Sequence, residues 1–136
     1  VKTSLFLLLS SIIVPFLFEG KNMANTIVLR PVGQTVAIGL TATSSTAVTV
    51  TPSTNDQVNY AAFLNPGAKG CAITIAASSA PAAVLPVAGT PASFYLPPLM
   101  TQPVVLAVPS NSFSVTGICA ATETTTIYVT PVGDQS

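Results

Sequence analysis

The run Thr35-Val36-Ala37-Ile38-Gly39-Leu40-Thr41 decides how this sequence is read. Val36, Ile38 and Leu40 fall on one side of an extended chain, and Thr35, Ala37, Gly39 and Thr41 on the other. Side chains alternate between the faces of a strand, so this spacing marks a strand with one face in a core. Thr46 to Thr51 repeats the pattern, with Val48 and Val50 opposed to Thr49 and Thr51. Ser44-Ser45 reads as a tight connection between them. These two strands are expected to pair as a hairpin.

The same alternation recurs along the rest of the chain. Pro52 to Asp56 is turn-rich, and Val58, Tyr60, Ala62 and Leu64 alternate after it. Asn65-Pro66-Gly67 favours a turn, because Pro presets φ and Gly accepts positive φ. Lys69-Gly70 completes that loop, and Cys71, Ile73 and Ile75 open the next strand, predicting a second hairpin. Ala76 to Pro91 is rich in Ala and Pro. Pro81, Pro86 and Pro91 deny it a helix interior or a central strand, which leaves a surface loop or an irregular edge. Phe94-Tyr95-Leu96 is a short apolar run stopped by Pro97-Pro98, read as a sheet-edge stop. Val104, Leu106 and Val108 alternate, Pro109-Ser110-Asn111 turns, and Phe113 and Val115 lead a strand to Cys119. Thr126 to Thr130 is the last strand.

Helical spacing is sustained nowhere, and β-branched residues and prolines disfavour it. The expected fold is all-β: a single-domain antiparallel β-sandwich, Ig-like or jelly-roll-like, of about seven to nine short strands. It would occupy residues 23–136.

Composition limits the chemistry. Charge is confined to Lys2, Lys21, Arg30 and Lys69 against Glu19, Asp56, Glu123 and Asp134. That inventory gives no basic patch for phosphates, so no nucleic-acid partner is expected. With no His and only Cys71 and Cys119 as thiols, a zinc site lacks its ligands. General acid–base work calls for His or paired carboxylates, and Asp56, Glu123 and Asp134 stand alone in sequence. The reading is therefore non-enzymatic, with no catalytic, cofactor-binding or metal residue and no cofactor. A neutral surface of Ser and Thr suits a subunit that spends its life docked on others.

Smaller signals carry less. Gly67-Ala68-Lys69-Gly70 lacks the remaining features of a phosphate loop and reads as a hairpin loop. Ser44-Ser45 and Ser78-Ser79 read as turn residues. Phe63, Phe94 and Tyr95 are either core or an aromatic anchor for a partner. Cys71 and Cys119 are either buried thiols acting as small apolar residues or, in an exported chain, a disulfide.

Residues 1–22 form a leader with two readings. Lys2 and the apolar run Leu5 to Phe18 resemble a secretory signal, yet the residues after it suit cleavage poorly. Met23-Ala24 is a credible translation start, and Glu19-Gly20 can be encoded by a purine run resembling a ribosome-binding site at a suitable distance upstream. Untranslated sequence read as protein is the favoured reading. At 14 residues with Pro15 inside, the run is short for crossing a bilayer, and residues 23–136 offer no membrane segment.

The order of elements from Val58 to Asp134, more than half the chain, resembles small head-associated, capsid-decorating proteins of tailed bacteriophages. The features are the Asn65-Pro66-Gly67 loop in a strand pair, the Leu96-Pro97 step, the apolar strand ending at Pro109, the aromatic strand from Phe113, and the closing Thr126-Ile127-Tyr128-Val129-Thr130-Pro131-Val132-Gly133. Leu29-Arg30-Pro31-Val32-Gly33 echoes that closing segment. The resemblance implies a virion structural protein assembled in the host cytoplasm, with capsid protein as partner and a homo-oligomeric state. Two departures bear on the binding surface: Asp134 stands where such proteins often carry Glu, and the Ala76–Pro91 segment is longer. The alternative is a secreted or cell-surface adhesion or pilin-like β-sandwich, with a cleaved leader and a Cys71–Cys119 disulfide.

Overall fold

The computed structural model describes residues 29–53 and 60–134. The leader, the start at Met23, Asp56 and Val58 lie outside the described residues.

The described chain is all-β and antiparallel, with nine strands in two packed sheets. In order these are β1 (Leu29–Pro31), β2 (Val36–Leu40), β3 (Val48–Val50), β4 (Tyr60–Leu64), β5 (Cys71–Ala76), β6 (Phe94–Leu96), β7 (Val104–Ala107), β8 (Phe113–Cys119) and β9 (Thr125–Asp134). The first sheet is organised by β9, which carries β4 and then β7 on one side. On its other side β2 pairs with the first half of β9 and β1 with its end. The second sheet runs β3-β8-β5-β6. The echo between the two Pro-Val-Gly segments has a structural counterpart: they lie antiparallel, Pro31 opposite Val132, with Val32 N–H donating to Pro131 O at 2.9 Å.

Alternation places the apolar residues as expected in β2, β3, β7 and β8, but the expected face of β4 is corrected. Tyr60, Ala62 and Leu64 are only half-buried, and Ala61 and Phe63 point into the core, because Phe63 is the large wholly apolar side chain of that strand. Ile38 and Leu40 of β2, Phe63 of β4 and Ile127 and Val129 of β9 meet Val50, Ile73, Leu96, Phe113 and Val115 from the other sheet in one core. Fully burying each such side chain contributes roughly 1.5–3 kcal/mol. Gly117 makes room within that core. A Cβ there would sit 2.7 Å from both methyls of Leu40, so the absence of a side chain on β8 lets a leucine cross between the sheets.

Both expected hairpins are corrected. The segment after β2 does not fold back on it; β2 pairs with β9, and β3 joins β8 in the other sheet. The Ser44-Ser45 connection is a crossover, held by Ser45 N–H to Gly117 O (2.8 Å) and Gly117 N–H to Ser45 Oγ (3.1 Å). Likewise β4 pairs with β7 and β9, while β5 pairs with β6 and β8. The 65–70 loop therefore also changes sheets. Its anchor is Asn65, fully buried, whose Nδ2 donates to Lys69 O (2.9 Å) and Pro97 O (3.1 Å). Its Oδ1 accepts from Thr125 Oγ1 at 2.7 Å.

The Ala76–Pro91 segment lacks extended pairing, as its prolines require; it holds one isolated bridge, Val87 to Thr90. It nonetheless packs. Ser114 and Thr116 alternate with the core residues of β8 and so face outward, yet both are buried. Ala80 N–H donates to Ser114 Oγ (2.7 Å), and Thr116 Oγ1 donates to Pro81 O (2.6 Å). The segment thus lies over the outer face of the second sheet. Ala83 N–H to Ser44 Oγ (2.9 Å) ties it to the first crossover.

Candidate docking surface

No charged residue occurs between Lys69 and Glu123. The two that bound this stretch pair with each other, Lys69 Nζ to Glu123 Oε2 at 3.7 Å. A partly exposed pair of this kind adds little stability, but its effect on the surface is plain: the chain between the two residues presents no charge.

That stretch also carries most of the exposed apolar bulk. Among the described residues the large hydrophobics left open to solvent are Val84, Val87, Phe94, Tyr95, Leu99, Val105 and Tyr128, and the first five lie within residues 84–99. Scattered exposed apolar residues are ordinary; a run of them around one edge strand is less so. β6 pairs with β5 alone and stands at the edge of its sheet. Beside it a groove of about 520 Å³ is lined by Ile73, Thr74 and Ile75 of β5 together with Val84 and residues 91–94. Ser93 fixes its geometry: Ser93 N–H donates to Val84 O (3.0 Å), and Ser93 Oγ accepts from Val84 N–H (2.9 Å) and lies 2.7 Å from Thr74 Oγ1. The groove can take an apolar side chain.

The aromatic trio of the sequence reading divides. Phe63 is fully buried in the core, whereas Phe94 and Tyr95 are each 47% exposed. The Tyr95 ring tip lies over Gly70, where a Cβ would come within 2.6 Å of Cζ. Ser44 and Ser45 serve the crossover. The 67–70 segment is the inter-sheet loop described above.

The isolated carboxylates do not converge where they can be placed. Glu123 precedes β9 and Asp134 ends it; at about 3.3 Å per strand residue their backbones are on the order of 30 Å apart. No helix among the described residues is long and apolar enough to cross a membrane.

Cys71 and Cys119 are both free and buried, directly opposite each other on β5 and β8. Burial, with a smaller contribution from Cys119, pushes the Cys71 thiol up to about 12. Burial also raises Cys119, partly offset by the Thr125 backbone amide and reinforced by Glu123. Neither thiol is an activated nucleophile.

The sequence reading singled out Phe94 and Tyr95 but missed Val84 and the groove. Val84 sits among Ala and Pro without periodicity, and only the fold of the 76–91 segment brings it to Ser93. Comparison with known proteins returned nothing: no family model, curated protein or solved structure matches the chain.

Proposed function

We propose that this protein is a non-enzymatic structural subunit of a bacteriophage virion that docks on the capsid surface. The observation that carries the docking part is the uncharged, apolar rim around β6, where Val84 and Phe94 flank an open groove. Interface cores are depleted in charge and enriched in aromatic anchors, and this rim has both properties. The virion assignment comes from the resemblance in strand order and loops between Val58 and Asp134. Many copies on a lattice would turn weak individual contacts into firm attachment.

Co-sedimentation with purified capsids lacking this protein, from the phage whose genome carries the gene, tests the reading. The wild-type chain is expected in the pellet. Phe94→Asp places a charge in the rim without touching the core, and is expected to weaken capsid binding at least 30-fold, the order of a hot-spot loss. Absence of wild-type binding, or equal binding by a folded Phe94→Asp protein, would overturn it. A second reading, an exported β-sandwich adhesion module, is favoured by one observation: the facing cysteines. A mature chain beginning after the leader and carrying a disulfide would support that reading instead.

A further inference from the structure

Cys71 and Cys119 oppose each other in register, but register alone does not fix the spacing of two strands. Antiparallel partners alternate between hydrogen-bonded pairs, with Cα atoms about 5.5 Å apart, and non-hydrogen-bonded pairs at about 4.5 Å, where side chains come closest. The backbone bonds of β8 identify which kind this is. Cys119 N–H donates to Thr41 O at 2.7 Å, and Gly117 N–H and C=O both bond Ser45. Thr41 and Ser45 belong to the connection that leads into β3, on the side of β8 away from β5. The amide of Cys119 is therefore turned from Cys71, and the two cysteines form a non-hydrogen-bonded pair. Their Cα separation then falls in the range of roughly 4.4–6.8 Å that a disulfide spans. Both side chains share the core face, with no solvent exposure on either.

We propose that Cys71 and Cys119 constitute a disulfide site of the second sheet that is closed during folding and is sealed once the sandwich has formed. Backbone register and burial support this site independently of the docking surface. The reaction needs a disulfide oxidant, a small-molecule or oxidoreductase disulfide. One cysteine thiolate attacks an oxidant sulfur, forming a mixed disulfide and expelling one oxidant thiolate. The second cysteine thiolate attacks the protein sulfur of that mixed disulfide and expels the other. The protein loses two protons and two electrons, and the oxidant leaves as two thiols. In the folded chain no oxidant reaches either sulfur, and the high value at Cys71 leaves little thiolate to begin the exchange. While β5 and β8 are still separating and pairing, both barriers are absent. The folded molecule therefore keeps whichever state, dithiol or bridged, its folding compartment imposed.

The experiment uses the full chain in two arms with the same mixture of oxidised and reduced glutathione. In one arm, reduced and denatured protein is refolded into the mixture; in the other, folded reduced protein is placed in it. Samples are quenched with N-ethylmaleimide in denaturant and weighed. Refolded monomer is expected to take up no maleimide and to weigh about 2 Da less than the dithiol. Folded reduced protein is expected to take up two maleimides per chain, with bridging at least 100-fold slower than in the refolding arm. Monomer that refolds as the dithiol, or bridges only between chains, would show that the strand spacing does not admit the bond. Bridging of the folded protein at the refolding rate would show that the site is not sealed.

Discussion

Asn65 ties three separate segments of the described chain together. Its side chain makes three hydrogen bonds from a fully buried position, to the 65–70 loop, to the turn after β6 and to the start of β9. Its own carbonyl accepts from Met100 N–H at 3.0 Å. Removing one partner from a buried bond leaves the other unpaired, at a cost of about 1–3 kcal/mol for each group stranded. Asn65→Ala strands Lys69 O, Pro97 O and the Thr125 hydroxyl. Three stranded groups at that rate put the expected loss of stability at about 3 kcal/mol or more, read from the urea midpoint. Asn65→Asp is more informative because it keeps the shape. An ionised carboxylate would face two carbonyl oxygens in place of the amide's two donated bonds, so its folded pKa would lie above the unfolded carboxylate value. Such a group binds more protons folded than unfolded, so stability falls as pH rises through and beyond the usual carboxylate range. The Asp variant should therefore be weakest near neutrality and recover as pH is lowered to about 4. A pH-independent deficit would show that the Nδ2 bonds contribute little.

At the scale of elements, strands were legible and their partners were not. Alternation located β2, β7 and β8 because a half-buried strand writes its burial into every second residue. In β4 it marked the strand but chose the wrong face, Tyr60, Ala62 and Leu64 in place of Ala61 and Phe63. Partners follow from where the connections lead. Ser44-Ser45 and Asn65-Pro66-Gly67 look alike in sequence whether they close a hairpin or carry the chain to the opposite sheet. What decides between these is Asn65 and Ser45 bonding to segments far along the chain. Outward-facing Ser114 and Thr116 mislead in the same way. Their hydroxyls read as a solvated face, but they are capped by Ala80 and Pro81. The rim beside β6 was half legible, through Phe94 and Tyr95, because its remaining side chain, Val84, comes from the aperiodic segment. That segment should behave as two parts in hydrogen exchange. The Ala80 and Ala83 amides, bonded to Ser114 Oγ and Ser44 Oγ with both residues buried, are expected to be protected at least tenfold over the exposed amides of Ala88 and Gly89 at the tip. Uniformly fast exchange from 80 to 90 would mean that the segment is not docked on β8.

For the whole molecule, the buried thiols tie global stability to alkaline pH. The Cys71 thiol moves from 9.0 to about 12 on burial, and Cys119 moves upward as well. Below about pH 9 folded and unfolded chains both keep the proton, and this contribution to stability is fully present. As pH rises from 9 toward 12 the unfolded chain gives up a proton that the folded chain retains. Unfolding then becomes easier, by roughly 1.4 kcal/mol per pH unit from Cys71, with Cys119 adding in the same direction. Urea midpoints of the reduced protein measured from pH 8 to 10.5 should therefore fall with a slope that a Cys71→Ala/Cys119→Ala protein lacks. The comparison is of slopes, so the lower starting midpoint that two core truncations bring does not disturb it. The bridged form has no thiol to titrate and should share the shallower slope. Its midpoint should also stand higher, because a bond closing a loop of about 50 residues restricts the unfolded chain by about 4 kcal/mol. If the reduced protein and the double variant fall in parallel, the two sulfurs are open to water when folded, and the core does not close over the β5–β8 pair at Cys71 and Cys119.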